Sequence, residues 1–144
     1  MKKIILLVAP VVLFITSSFA ADPNQKVLEA FSKTFQQVKN VTWQDIDNRY
    51  EANFKDNNIT FRIMYDQEGN VVKSIRYYFA STLPIFIQAK LSKKYENKTV
   101  YGVTEITTDT DVIYHIILQD SKNWIHVQSD SFGNMFTERK LRKA

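Results

Sequence analysis

Residues 59–70 read ITFRIMYDQEGN. Ile59, Phe61, Ile63 and Tyr65 fall at every second position, the period of a strand with one buried face. The alternation stops at DQEGN (66–70), where Asp66 opens a tight turn and Gly69 takes the left-handed position of a short hairpin loop. Residues 124–134, WIHVQSDSFGN, return to the same plan, with Asp130 and Gly133 in the matching places. One alternating strand with its turn thus occurs twice.

Upstream of each strand lies another alternating run, YEANF (50–54) in the first copy and VIYHIIL (112–118) in the second. Further upstream the period changes to that of a helix. VLEAFSKTF (27–35) aligns Leu28, Phe31 and Phe35, and IQAKLSKKY (87–95) aligns Ile87, Leu91 and Tyr95. Asp22-Pro23 and Pro84 mark the two helix starts. Each copy therefore reads as a helix followed by four antiparallel strands, over 21–80 and 81–144, together one compact α+β unit. Extra residues in the second copy lengthen its first hairpin by two on each side.

The helices ending in KTF and KKY, the VTWQ strand (41–44), the two DxxGN turns and the LP before the second helix together resemble the PepSY-like exported proteins. Their fold is similar to that of the β-lactamase inhibitory protein. The resemblance implies a tandem duplication with two helices on one face of a curved eight-stranded antiparallel sheet. It also implies a periplasmic or secreted binding or inhibitor-like role without catalysis. The inhibitory protein uses disulfides, and this chain has no cysteine.

Residues 1–20 have the form of a cleavable leader. Lys2 and Lys3 precede an apolar run from Ile4 to Ile15, and Ser18 and Ala20 supply small residues at the −3 and −1 positions. The run is short for a bilayer span, so the mature chain is expected to begin at Ala21 in the periplasm or outside the cell, with no membrane span of its own. Without cysteine there is no disulfide, thiol nucleophile or lipid-modified cysteine. The precursor carries a formal +4, which falls to +2 without Lys2 and Lys3. That charge is too mild to predict a nucleic-acid partner.

In a two-residue hairpin the numbers of paired residues sum to a constant, which fixes the register. Closure at Asp47-Asn48 pairs Trp43 with Ala52 and Val41 with Phe54, facing the helix. Closure at Asp109-Thr110 pairs Val103 with Ile116 and Tyr101 with Leu118. Closure at Asp56-Asn57 pairs Phe54 with Ile59. Closure at Asp120-Ser121 pairs Ile116 with Ile125, which sets His115 opposite His126 and Ile117 opposite Trp124. The outer face of the first copy (Arg49, Glu51, Asn53, Lys55, Asn58, Thr60, Arg62) is an ordinary solvated surface. That of the second, Thr104, Ile106, Ile113, His115, Ile117, Trp124 and His126, is a candidate contact surface.

No cofactor is expected. A Ser-His-Asp arrangement would need a buried carboxylate behind a histidine, which the pattern does not supply. The His115/His126 pair lacks a third protein ligand for zinc. DTD (109–111) and DID (45–47) resemble calcium loops but lack the following Gly and the closing Glu. The expected function is an exported non-enzymatic module that binds a protein or envelope partner. The alternative is a periplasmic small-ligand or metal-binding protein using His115 and His126.

Overall fold

The computed structural model describes residues 21–144. The leader and its cleavage site lie outside the described residues. The elements run α1 (Gln25–Thr34), β1 (Thr42–Ile46), β2 (Arg49–Asp56), β3 (Ile59–Tyr65), β4 (Val71–Tyr78), a 3₁₀ turn (Ala80–Thr82), α2 (Ile85–Lys94), β5 (Thr99–Thr108), β6 (Val112–Gln119), β7 (Asn123–Asp130) and β8 (Met135–Arg142). All eight strands join one antiparallel sheet in sequence order, so every neighbour is also a neighbour in the chain.

Local chemistry sets the boundaries. The Asn24 side chain caps α1 by accepting from the Val27 backbone N–H at 3.1 Å. Pro84, with its fixed φ and missing N–H, leads into α2. In the two DxxGN turns the opening carboxylate does the organising. Asp66 Oδ1 accepts from the backbone of Glu68 and Asn70, and Asp130 Oδ1 does the same for Phe132 and Asn134. Gly69 has φ +87°, and a Cβ there would stand 2.8 Å from the Lys26 carbonyl oxygen. Both conformation and packing therefore require glycine.

Two apolar clusters form. Val27 and Phe31 of α1 are buried with Ala52, Phe54, Ile63 and Tyr65. Ile87 and Leu91 of α2 are buried with Val103, Tyr114, Ile116, Leu118, Ile125 and Val127. Trp43 meets Phe31 edge-on at 5.3 Å. Between the clusters the paired row Phe61, Arg76, Glu105, Tyr114 crosses β3 to β6 and carries an ion pair. Glu105 is only 4% exposed. It accepts from Arg76 Nε at 3.1 Å, from Arg76 Nη2, and from the Tyr78 hydroxyl at 2.5 Å. Burial, then the hydrogen bond to Glu105, pushes the Tyr78 phenol well above its ordinary range.

Several sequence expectations need correction. The first helix buries Val27 rather than Leu28, which is half-buried, while Phe31 and Phe35 pack in the first cluster as the stripe predicts. Val41 lies just before β1 and packs against the first cluster without pairing with Phe54. The second hairpin closes at Asn57-Asn58, not Asp56-Asn57, pairing Phe54 with Phe61 and Asp56 with Ile59. Asn57 and Asn58 both have positive φ, 45° and 64°, and asparagine tolerates that conformation. The slip is by two residues, so each side chain keeps its face. Glu51, assigned to a solvated surface, is only 4% exposed. Arg62 forks onto it with contacts of 2.9 to 3.1 Å, and Asn53 Nδ2 donates to the same carboxylate at 3.1 Å.

Candidate functional site: the outer face of the second unit

Strand alternation sends Val103, Tyr114, Ile116, Leu118, Ile125 and Val127 into the core. Their neighbours Thr104, Ile106, Ile113, His115, Ile117, Trp124 and His126 then point to the other face, where each is partly exposed. The register assembles these side chains into rows. Ile75 of β4, Ile106 and Ile113 form one row, and Tyr77, Thr104, His115 and Gln128 form the next. Gly102, Ile117, His126 and Arg139 form a third, and Gln119, Trp124 and Leu141 a fourth.

The two histidines are not directly opposed. The β6–β7 hairpin closes at Ser121-Lys122, so His115 faces Gln128, His126 faces Ile117, and Trp124 faces Gln119. Asp120 decides this. It is the residue before the turn, and its Oδ1 accepts from the backbone N–H of Lys122 at 2.8 Å and of Asn123 at 2.7 Å. Lys98, at 3.0 Å, and those turn hydrogen bonds hold the Asp120 carboxyl far below the usual carboxylate range. The slip is again by two, so both histidines stay on the outer face, as diagonal neighbours. His115 Nδ1 lies 3.5 Å from Glu138 Oε2. Among the described residues no group of three or more metal-ligating side chains comes together.

The β5–β6 ladder shifts register between Val100 and Gly102, and Leu118 pairs with Val100 instead of Tyr101. This bulge corrects the inward placement of Tyr101, which is 54% exposed. Its ring meets Trp124 edge-on at 4.7 Å. Lys143 Nζ sits 4.3 Å from the other ring's centroid while donating to Gln119 Oε1 at 2.9 Å. The indole is therefore held between an aromatic edge and a cation. Such a side chain loses little freedom on binding.

Beside the bulge lies an open groove of about 420 Å³. Tyr77, Phe79, Tyr101 and Ile117 give its apolar lining, Lys55 and Thr60 its polar end, and Gly102 its floor. A Cβ on Gly102 would meet nothing within 4 Å. Sequence reasoning missed Ile75, Tyr77, Phe79 and Tyr101. In SIRYY (74–78) a strand reader sends Ile75 and Tyr77 inward, because Ser74 and Arg76 are the polar alternates. The buried Glu105 reverses that assignment by drawing Arg76 to the core side.

No family model and no curated relative matches this chain. Solved structures do. A DUF2874 family protein from Bacteroides ovatus superposes with a TM-score of 0.60 at 19% identity, over 85% of this chain and 89% of that one. A BLIP-like protein from Bacteroides fragilis gives 0.62 at 13% identity, over 86% and 90%. A chain from Bacteroides eggerthii, whose description suggests a periplasmic protein, gives 0.60 at 14%, over 85% and 90%. At these identities the likeness establishes the fold: a BLIP-like antiparallel sheet with two helices.

Proposed function

We propose that this chain is an exported, non-enzymatic binding module, released from its leader near Ala20, whose second unit presents its outer sheet face to a protein or envelope partner. The two units are read as a duplication of one helix-plus-four-strand ancestor of PepSY-like type, and the second copy has been adapted for contact. The observation that carries this reading is the contrast between the copies. Over β1 to β3 the outer face of the first is closed by the Arg62–Glu51 fork and polar neighbours, while its last strand, β4, extends the rows of the second with Ile75 and Tyr77. The same face of the second offers isoleucines, imidazoles and a braced tryptophan beside a groove that Tyr101 and Ile117 complete against Tyr77 and Phe79 of the first. Contact surfaces of this kind concentrate binding energy in a few aromatic anchors. The likeness to a BLIP-like protein and to a chain described in periplasmic terms supports the setting.

The test is affinity capture from envelope extract with wild type and with the Trp124→Ala, Ile117→Ala double variant, compared by quantitative mass spectrometry. A partner enriched by wild type and reduced at least about tenfold by the variant, as expected for loss of an anchor worth 2 kcal/mol or more, supports the reading. Equal recovery by both proteins contradicts it.

A further inference from the structure

The helix side of the second unit carries another surface, built from α2 and the β7–β8 turn. Phe86, Lys90, Lys93 and Lys94 follow at i, i+4, i+7 and i+8, so they share one stripe of α2. The turn abuts that stripe. Lys90 Nζ donates to the Phe132 carbonyl at 2.7 Å and Lys94 Nζ to that of Met135. The three lysines, with Gly133, Asn134 and Met135, line an open basin of about 620 Å³. Beside it stand two apolar side chains in solvent: Phe132, whose carbonyl Lys90 binds, is 76% exposed, and Phe86, one turn before Lys90, 44%.

The charge here is not neutralised from within. Among the described residues none of Lys90, Lys93 or Lys94 takes part in a salt bridge. The nearest carboxylate in the turn, Asp130, is occupied by the backbone of Phe132 and Asn134 and by Asn134 Nδ2. Lys140 adds to the same side of the sheet, because it pairs with the buried Ile125.

The first unit supplies an internal control. Its turn meets its helix in the same way: a Cβ on Gly69 would stand 3.4 Å from Ala30, as one on Gly133 would meet Lys90. Yet the positions equivalent to Phe86, Lys90, Lys94 and Phe132 hold Lys26, Ala30, Thr34 and Glu68, and of the three lysines only Lys93 has a counterpart, Lys33. The scaffold therefore does not require exposed apolar residues or a lysine cluster there.

We propose that this surface docks the protein peripherally on an anionic membrane, with Phe132 and Phe86 entering the headgroup boundary and Lys90, Lys93 and Lys94 facing lipid phosphates. Apolar side chains that project from a basic basin free of acidic partners match that chemistry. Each supplies a part of the affinity that is weak alone, and the two together give reversible attachment. The surface lies on the helix side, so attachment leaves the outer sheet face open.

The experiment is vesicle co-sedimentation of the leaderless chain, residues 21–144, with phosphatidylglycerol–phosphatidylcholine vesicles and with phosphatidylcholine alone. Wild type binds the anionic vesicles at least about tenfold more tightly, and binding falls several-fold when salt screens the lysines. The Lys90→Ala, Phe132→Glu variant uses the residues of the first unit at these positions, so it suits the scaffold; it binds on the order of tenfold more weakly with an unchanged circular dichroism melt. Lys33→Glu on α1 binds as wild type does. The proposal is overturned if wild type ignores anionic vesicles, or prefers neither composition. It is equally overturned if the double variant binds as wild type does, if Lys33→Glu loses as much, or if millimolar inorganic phosphate alone displaces the protein completely.

Discussion

Trp43 and Trp124 show how position decides what the same side chain does. Trp43 packs against Phe31 in the first core, whereas Trp124 lies on the outer face between Tyr101 and Lys143. Trp43→Ala is expected to cost about 3 kcal/mol in a urea titration, the low end for a tryptophan that is not fully enclosed. Trp124→Ala should cost clearly less, and equal losses would mean that the faces are reversed. The turn aspartates give a second residue-scale expectation. The Asn134 side chain, then its backbone N–H, holds the Asp130 carboxyl below the ordinary range, and Asn70 does the same for Asp66. A folded pKa below the unfolded value of about 3.9 gives stability that is present above that value and is lost as pH falls through the folded one. Asp66→Asn with Asp130→Asn keeps a cap but removes the titration, so the urea midpoint of this variant should fall less between pH 5 and pH 2. An unchanged acid limb would contradict that assignment. Burial likewise raises Tyr65 to about 12. Its contribution is complete below the unfolded value of about 10 and is lost as pH rises towards 12, and Tyr65→Phe should remove that alkaline loss.

At the scale of elements, much of the plan was legible in the sequence. The DxxGN turns, the alternating strands and the two helix stripes are local signals, and they appear as β3 with its turn, β7 with its turn, α1 and α2. The registers of β2–β3 and β6–β7 were not legible. A slip of two residues keeps every side chain on its face, so hydrophobic alternation does not distinguish the two pairings. Turn chemistry does: Asn57-Asn58 takes positive φ, and Asp120 caps the backbone behind it. The pairs Glu51–Arg62 and Glu105–Arg76, each with a buried glutamate, were hidden because the partners lie on neighbouring strands. The seven outer-face positions of the second unit were readable from period two alone. The groove beside them was not, because it depends on the bulge at Tyr101 and Gly102. Gly102→Leu tests that element. A side chain there enters open space, so the melting temperature should stay within about 2 °C, as for a surface change worth less than 0.5 kcal/mol. Loss of partner capture with the fold intact would assign the groove to binding, and full retention would remove it from the contact surface.

For the whole molecule, two units of one plan carry different surfaces. The first is closed on its sheet face by Arg62 and Glu51, and its turn tip carries Glu68. The second has Trp124, its isoleucines and histidines on the sheet face, beside a groove it shares with β4 of the first, and lysines with exposed phenylalanine on the helix side. Both surfaces of the second unit rest on the same core of Ile87, Leu91, Ile116 and Val127, which none of the proposed variants touches. The central claim is that the second unit's outer face is where a partner sits. Site-specific photo-crosslinking in intact cells tests it most directly, with the crosslinking residue placed at Ile117 and, as the matched outer-face control in the first unit, at Asn53. One discrete adduct from position 117, absent from position 53 and lost on adding Trp124→Ala, is the predicted result. No adduct at 117, or the same adduct from both positions, would contradict the account.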